Sequence, residues 1–332
     1  MRTFPANFPR WTITLGLTAM IAGGPAQANE EWPSKPIRLL VPAPAGGGTA
    51  DPVARLLAEG LEKTWGYRIV VDNKPGGSGV IAGTAAAQAS PDGYTFLLAP
   101  AAMMTTTMHF VKSVPWHPQR SFDSVALFGT VPIVLAVNKD LPTSDLASFV
   151  ANAKSNPSTV NFGSTGNGTA SHLSGELFMQ ATHTRITHVP YVSPGQATTD
   201  TISGNIQATF QLLPGVLGQI NSGMLRPIAV FSKSRSPSLP NVPTTAEEGY
   251  PSLLSESWFS VVAPKGTPKP IITKLNAHIN QLLERPDFVQ QMNRVGVEPL
   301  RGGTPAEFES FLESEIDRWA GIVERSGAKP KP

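Results

Sequence analysis

The sequence contains no cysteine. A disulfide framework and a metal site built on thiolates are therefore excluded, and no cysteine is available to carry a lipid. A chain of 332 residues without cross-links has to be stabilised by its packed interior. About 300 residues are enough to bury one or two sizeable hydrophobic cores.

An excess of charge of either sign is also missing. The chain has 26 basic and 24 acidic residues, and two of the basic ones, Arg2 and Arg10, lie near the N-terminus. Without these two arginines the charges balance, and both signs are interspersed along the chain. Because nucleic-acid binding needs a basic face, the composition gives no support for a nucleic-acid partner.

The apolar run near the N-terminus is too short to span a membrane. It measures roughly 13 residues, whereas a membrane span needs about 20. Its surroundings are those of a secretory signal peptide: MRTFPANFPR carries two arginines and no acid, and the small residues AQA end at Ala28. We therefore expect residues 1–28 to direct export and to be cleaved after Ala28. The alternative is an uncleaved amphipathic anchor.

Strand-like and helix-like segments alternate along the rest of the chain. The apolar segment IRLLV precedes ADPVARLLAEGLEKTWG, whose apolar residues form one helical stripe and whose start is marked by Asp51 as N-cap and Pro52 as first helical residue. The alternation predicts an α/β fold with mainly parallel sheets. We expect two lobes with a cleft between them, one formed by residues 29–128 and 257–332 and the other by 129–256.

Three consecutive glycines stand between the first strand and its helix, in VPAPAGGGTADPVAR. The N-terminus of a helix has unpaired N–H groups and the positive end of the helix dipole, so glycines there let an anion approach the backbone. The loop lacks the lysine of a Walker motif and the spacing of a dinucleotide-binding motif, which disfavours nucleotides. The alternative is a tight turn that binds nothing.

A second loop, FGSTGNGTASHL, also connects a strand to a helix through glycines. Ligands of α/β sheets bind at the carboxyl ends of the strands, where both loops lie. The pair therefore predicts two helix N-termini that face one cleft. Such a pair could hold both carboxylates of a diacid, or one carboxylate and another polar end.

Motifs for catalysis or metal binding are missing. His183 and His188 lack the spacing of a metal site, His109 and His117 stand alone, and no serine is centred in G-x-S-x-G. His172 falls in the first turn of the helix after the second loop, where the helix dipole disfavours imidazolium. We expect His172 to be a neutral hydrogen-bonding residue, and we expect no enzyme activity, cofactor or metal.

Several long motifs resemble the Bug receptors, the substrate-binding proteins of tripartite tricarboxylate transporters. The resemblance covers Trp32 to Gly327, and its motifs are PSKPIRLLVPAPAGGGTADPVARLLAEGLEKTWGYRIVVDNKPGGSGVIAG, SPDGYTFLL, STGNGTASHL, HVPYVSPGQATTD, LPNVPTTAEEGYP and WFSVVAPKGTPKPII. It implies a monomeric periplasmic binding protein of the type II-like fold, whose lobes close over a small carboxylate. It also implies partners, the membrane subunits of such a transporter.

In that family, backbone amides of loops and ordered waters hold the ligand, mostly without a cationic side chain. Matching positions imply ligand contacts in both loops and on the wall: Ala43, Pro44, Gly47, Thr49, Ala50 and Asp51 in the first lobe, and Ser164, Thr165, Gly166, Asn167, Gly168, Thr169 and Tyr191 in the second. We also expect His172 and Gln211 among the ligand-binding residues.

This chain departs from the family pattern after VPY, where Val192 and Ser193 replace the usual Lys-Gly pair. Ala208 and Gln211 stand where acids are common. An acid at the second place could serve a ligand amine, so Gln211 argues against an amino acid ligand. The methionines of APAAMMTTTMHF line the pocket or belong to the core.

We weigh two other functions against the same sequence features. An orphan sensor would present a carboxylate to a signalling partner with the same fold, and a periplasmic hydrolase would need a nucleophile or an acid–base pair that the motifs do not supply. The ligand itself stays open among dicarboxylates, tricarboxylates, aromatic acids and amino acids.

Overall fold

The structure is a computed structural model that describes Met1 and residues 32–46, 49–157, 159–191 and 193–326. Residues 2–28 of the predicted signal peptide, Gly47 and Val192 lie outside the described residues. No helix in the described ranges is both long and apolar enough to cross a lipid bilayer.

The described part of the chain contains ten strands interspersed with helices. The strands are β1 (Ile37–Val41), β2 (Ile69–Asn73), β3 (Thr95–Pro100), β4 (Phe122–Asn138), β5 (Asn161–Ser164), β6 (Thr187–Pro190), β7 (Ala208–Leu212), β8 (Leu225–Val230), β9 (Glu256–Pro264) and β10 (Glu298–Pro299).

The helices cover the faces and ends of these strands. They are α1 (Ala50–Trp65), α2 (Val80–Ala87), α3 (Ala101–Thr105), α4 (Thr107–Phe110), α5 (Pro118–Ser121), α6 (Leu146–Ser155), α7 (Ala170–Thr182), α8 (Pro194–Ser203), α9 (Leu217–Asn221), α10 (Lys269–Leu283), α11 (Pro286–Arg294) and α12 (Pro305–Ser326). Short 3₁₀ turns occupy Gly77–Gly79 and Leu213–Gly215.

The strands are hydrogen-bonded in the order β2-β1-β3-β9-β4-β7-β5-β6, and β8 and β10 also pair with β4. The outer strands of each end are parallel, with β1 between β2 and β3, and with β5 between β6 and β7. Every pairing with β4 or β9 is antiparallel. The α/β, two-lobed fold class is therefore confirmed.

The 17-residue strand β4 belongs to both lobes. Its segment Phe122–Pro132 pairs with β9, and its segment Ile133–Val137 pairs with β7. We call the set around β1, β2, β3, β9 and β10 the first lobe and the set around β5 to β8 the second lobe. The residue boundaries near 129 and 257 stay a prediction, since β4 and β9 run through them without a break.

The strand directions decide where the glycine loops lie. Because β3 is antiparallel to β9 and β9 is antiparallel to β4, the strands β1, β2 and β3 run with β4, from the first lobe towards the second. Strands β5, β6 and β7 run against β4, towards the first lobe. The loops after β1 and β5 therefore extend from carboxyl ends that point towards each other.

Each lobe has its own apolar interior. In the first lobe Leu39 and Leu57 pack in one buried cluster with Phe128, and in the second lobe Phe162, Phe178 and Phe210 form the centre of another. The C-terminal helix α12 bridges the two, since its apolar residues pack against α7. This smaller cluster contains Leu173, Trp319, Ile322 and Val323.

Candidate functional site

The first glycine loop is held by the carboxylate of Asp51, whose side chain is 1% exposed. Asp51 accepts hydrogen bonds from the Gly46 N–H at 2.8 Å, from Arg55 Nε at 2.9 Å and from Asn73 Nδ2 at 2.7 Å. Asn73 also donates to the carbonyl of Ala43 at 2.9 Å. The loop is therefore tied to the first turn of α1 and to the end of β2.

The prediction that Asp51 is the N-cap of this helix is wrong. Thr49 is the N-cap, without a side-chain capping bond, so Asp51 and Pro52 are the second and third helical residues. The side chain of Asp51 instead turns back to the loop that precedes the helix. Burial opposes its ionisation, but hydrogen bonds from Arg55, Asn73 and Gly46 outweigh burial and lower the pKa of Asp51.

The other predicted contacts of this loop lie around that network. Ala43, Thr49 and Ala50 are half-buried, whereas Pro44 is exposed. The carboxylate oxygens of Asp51 are bonded within the protein, so any contact of Asp51 with a ligand would have to use its backbone. Arg55 is the nearest cation of the network, and both of its bonds to Asp51 are at most 3.0 Å long.

The second glycine loop is held by neutral groups. Ser164 Oγ accepts from the Gly166 N–H at 3.1 Å, and His172 Nδ1 accepts from the Gly168 N–H at 3.1 Å. Thr169 donates its hydroxyl to the Gly166 carbonyl at 2.7 Å and caps α7 by accepting from the His172 N–H. The predicted loop residues are thus drawn together into one hydrogen-bonded turn.

Some N–H groups of this loop remain open. Within the described part of the chain, the N–H groups of Thr165, Asn167, Ala170 and Ser171 have no acceptor in the protein. They alternate with groups that the loop itself uses, and Ala170 and Ser171 form the first turn of α7. N–H groups at a helix N-terminus, with the positive end of the helix dipole, are suited to bind a carboxylate.

Two histidines stack behind the second loop. The rings of His172 and His188 have centroids 4.1 Å apart, and His188 also stacks on Phe162 at 5.0 Å. His172 is 5% exposed, and its Nδ1 is unprotonated because it accepts a hydrogen bond. Burial and the neighbouring His172 lower the pKa of His188 to about 3, so its ring is neutral at physiological pH.

Tyr191 and Gln211, predicted on the wall, are both hydrogen-bonded to α8. The Tyr191 hydroxyl donates to Asp200 at 2.7 Å, and burial together with Asp200 raises the pKa of Tyr191 to about 12. Gln211 is 2% exposed and donates to the Pro194 carbonyl at 3.2 Å. A pocket of about 600 Å³ lies beside Tyr191 and along α8 as far as Asp200.

The methionine-rich segment after β3 belongs to the core. Met103 and Met104 are buried, and Met103 packs against Gly79 and Gly83. Phe110, at the end of the same segment, lies against the second loop: a Cβ at Gly168 would stand 2.5 Å from its ring. The first lobe therefore contacts the second glycine loop through Phe110.

Sequence patterns did not identify Asn73, Phe110 or His188 as supports of the two loops. His188 lies opposite Phe162 in the parallel register of β5 and β6. Only that strand pairing brings its imidazole to Ser164. The feature of the sequence that could have identified His188 is its position as a polar residue in a predicted strand, directly before the VPY motif.

Another cavity, of about 630 Å³, lies beside the crossover strands β4 and β9 rather than at the loops. Its charged lining is Lys233, Glu256, Glu298, Glu315 and Arg318. Burial and the charge of Glu298 raise the pKa of Glu256 to about 7. Three carboxyl groups in one cavity disfavour an anionic ligand, so the loops are the better candidate for binding a carboxylate.

In the ranges that the structure describes, no group of three or more histidine, aspartate or glutamate side chains is arranged to hold a metal ion. The local chemistry consists of backbone N–H groups, hydroxyls and neutral imidazoles around the second loop. An anion could be held there by hydrogen bonds alone.

Known proteins resemble this chain over nearly its whole length. BugT from Bordetella pertussis is 38% identical over 327 residues, which covers 98% of this chain and 100% of BugT. A solved R. palustris protein with adipate is 34% identical, with a TM-score of 0.78 over 91% of this chain and 100% of that one. MatC from Rhodopseudomonas palustris, with bound malate, is 28% identical, with a TM-score of 0.72 over 88% and 100%.

The family model described as tripartite tricarboxylate transporter family receptor matches residues 53–328. Its members are solute-binding receptors rather than enzymes. This agrees with the glycine loops, the neutral hydrogen-bonding groups and the two-lobed fold. The chain therefore belongs to the receptor family of the tripartite tricarboxylate transporters, the Bug receptors.

Proposed function

We propose that this receptor captures a small dicarboxylate between its two lobes and delivers it to the membrane subunits of a tripartite tricarboxylate transporter. The observation that carries the proposal is the set of open N–H groups at Thr165, Asn167, Ala170 and Ser171. These groups follow β5, whose carboxyl end points towards the first lobe. One carboxylate would bind at each loop.

The supports of the two loops favour an anion without a cationic side chain. The second loop is held by neutral rings and hydroxyls, so its N–H groups face no competing fixed charge from those supports. The adipate and malate in the two solved relatives are dicarboxylates of different length. For this chain we propose the same chemical class, bound by a carboxylate at either end.

Binding between lobes implies closure. A ligand that contacts both loops interacts more strongly with the closed form than with the open form, and this difference in affinity shifts the population. Strands β4 and β9 connect the lobes, so we propose them as the segments about which the lobes rotate. We further propose that the exported chain starts at Asn29; the mass of the protein isolated from a periplasmic fraction checks this start.

Thermal unfolding of residues 29–332 with a carboxylate panel tests the proposal. The panel contains adipate, malate, citrate, benzoate and glutamate. A ligand at 100 times its Kd stabilises the folded state by about 2.7 kcal/mol, which raises the Tm by several degrees for a chain of this size. We expect the shift with dicarboxylates.

A variant pair connects the shift to the second loop. Gly166 has a φ of 111°, a conformation that valine rarely adopts, although nothing lies closer than 3.8 Å to its added Cβ. We expect Gly166→Val to abolish binding while the protein stays folded. Gly218→Ala is the control, since its Cβ would meet no atom within 4 Å. Folded wild-type protein that responds to no carboxylate would overturn the proposed function.

A further inference from the structure

The hydroxyl of Ser164 connects the second glycine loop to strand β6. Ser164 is fully buried, and its Oγ lies 2.6 Å from His188 Nε2. The same oxygen accepts the Gly166 N–H at 3.1 Å. The Gly166 carbonyl is a more distant acceptor for the hydroxyl, at 3.3 Å. In the tautomer of His188 that carries its proton on Nδ1, Ser164 donates to Nε2, and the Ser164 lone pairs are left for the Gly166 N–H.

His188 can hold that serine because its own ring is held. It stacks on Phe162, its register partner across β5 and β6, and on His172. His172 in turn accepts the Gly168 N–H. The stacked pair of imidazoles therefore reaches both glycines of the loop, one through Ser164 and one directly.

The ring of His188 has to be neutral for this role. A hydroxyl can donate to Nε2 only while that nitrogen is unprotonated. Burial and the adjacent His172 lower the pKa of His188, so the ring stays neutral over the whole physiological range, and its Nδ1-protonated tautomer keeps Nε2 as an acceptor. Glu176, 3.5 Å from His172 Nε2, is the ionisable group that faces the pair from α7.

The Gly166 peptide needs such a support. Glycine readily adopts the Gly166 φ of 111°, whereas other residues rarely do. Because glycine is so permissive, other backbone conformations of the loop are also accessible. Anchoring the Gly166 N–H on Ser164 fixes one of them. In that conformation the N–H groups of Thr165 and Asn167 on either side stay open.

We propose that His188 is a positioning residue of the carboxylate site: through Ser164 it fixes the Gly166 peptide, so that the neighbouring N–H groups are presented to the ligand. This assignment rests on the proposed function for the ligand it serves. Its structural part, the fixing of the loop, concerns the free protein. His188 itself does not contact the ligand.

Three variants separate hydrogen bonding from packing. His188→Phe retains a flat ring on Phe162 but removes the acceptor. His188→Gln places an amide near the position of Nε2 and restores a partner for Ser164. Ser164→Ala removes the bridging hydroxyl from the other side.

Amide hydrogen exchange by NMR in the ligand-free protein is the first readout. We expect the Gly166 amide to exchange at least about fivefold faster in His188→Phe and in Ser164→Ala, the change for loss of one hydrogen bond. His188→Gln should stay within about twofold of wild type, as should the amide of Phe210 in every variant. Unchanged Gly166 exchange in His188→Phe would overturn the proposal.

Calorimetric titration with adipate is the second readout. We expect His188→Phe and Ser164→Ala each to weaken binding by about fivefold, and the double variant to be no weaker than either one, because both remove the same link. Equal weakening by His188→Gln, or additive losses, would show a packing effect and contradict the positioning role. If wild-type protein binds neither adipate nor malate, the proposed function fails, whereas the exchange experiment still decides whether His188 fixes the loop.

Discussion

The two glycine loops have similar positions in their lobes but opposite supports. The first is held by an ionised carboxylate, Asp51, whose charge is balanced by Arg55. The second is held by the neutral side chains of Ser164, His172 and His188. Both arrangements hold a strand-to-helix turn in place, but only in the second are the side chains that accept the N–H groups of the loop uncharged.

This difference has consequences for binding and stability. In the first loop Asp51 uses the Gly46 N–H, which is then lost to a ligand. A buried carboxylate is stable only while its partners are present, so the first loop should be the more sensitive to loss of a single group. The second loop divides its hydrogen bonds among several weaker partners, and we expect each change there to cost less.

The largest effect is expected for Asp51→Ala. Removing this carboxylate leaves the Gly46 N–H, Arg55 and Asn73 without their shared acceptor, and we expect a loss of about 3 kcal/mol in the free energy of unfolding. Arg55 is half exposed and can turn to water, which keeps the loss below that of a fully buried pair. Urea unfolding measures it.

The exposed pair of Lys63 and Glu59 serves as its control. The two groups are 2.7 Å apart and more than half exposed, and Lys63→Ala should change stability by less than about 0.5 kcal/mol. An Asp51→Ala variant as stable as Lys63→Ala would remove the contrast between the loops.

Gly168→Ala tests the steric demand of the second loop, with an expected loss of about 2 kcal/mol. The φ of Gly168 is 77°, and an added Cβ would lie 2.5 Å from the Phe110 ring. Thermal and urea unfolding measure the loss. Because the clash is with a side chain, the effect of the substitution should be smaller in a Phe110→Ala background, and equal effects in both backgrounds would contradict it.

Lowering the pH should remove the stability that neutral His188 contributes before the stability that ionised Asp51 contributes. The pKa of His188 is about 3 in the folded protein and near 6.5 in the unfolded chain. The unfolded state therefore takes up the proton first, so the contribution of neutral His188 is complete above pH 6.5 and is lost as the pH falls towards 3. Between pH 6.5 and 4.5 we expect wild type to lose about 2 kcal/mol more than His188→Phe.

The titration of Glu256 changes the free energy of unfolding in the opposite direction over this pH range. Its pKa is raised to about 7, so the folded state keeps a proton that the unfolded chain releases near pH 4.5, and stability falls as the pH rises between these values. Urea unfolding at several pH values in a Glu256→Gln background therefore isolates the His188 effect. If the free energy of unfolding changes with pH in the same way for Glu256→Gln and for the double variant Glu256→Gln/His188→Phe, His188 does not titrate as described.

The smallest effect is expected for Asn73→Ala. Its amide bridges Asp51 and the Ala43 carbonyl, and loss of these hydrogen bonds should cost about 1 kcal/mol. The pKa of Asp51 should also rise, because one of the groups that lower it is gone. Urea unfolding and an NMR titration of Asp51 measure the two effects, and an unchanged Asp51 pKa would show that Arg55 and Gly46 are sufficient.

Much of the fold follows from local patterns in the sequence. The apolar stripe of Val53, Leu57 and Leu61 was visible as a helix, and these residues are buried in α1. The glycines between strand and helix marked both loops, because glycine supplies the positive φ that Gly46, Gly166 and Gly168 adopt. The motifs also identified the family.

The helix start at Asp51 shows where local patterns fail. An aspartate followed by proline is a common way to begin a helix, which is why the sequence favoured it as the N-cap. In the structure Asn73, on the neighbouring strand β2, and Gly46 draw the carboxylate away from the helix end. A tertiary partner 22 residues away outweighed the local preference.

By itself, the sequence determined the alternation of strands and helices, the place of the glycine loops and the family, because each depends on residues adjacent along the chain. The tertiary structure decided that the loops point towards each other, since the direction of β5 relative to β1 depends on β4, which passes through both lobes and pairs with β9 in the first and with β7 in the second. It also decided the contact of His188 with Ser164. That hydrogen bond spans 24 residues and exists because β5 and β6 pair in one register.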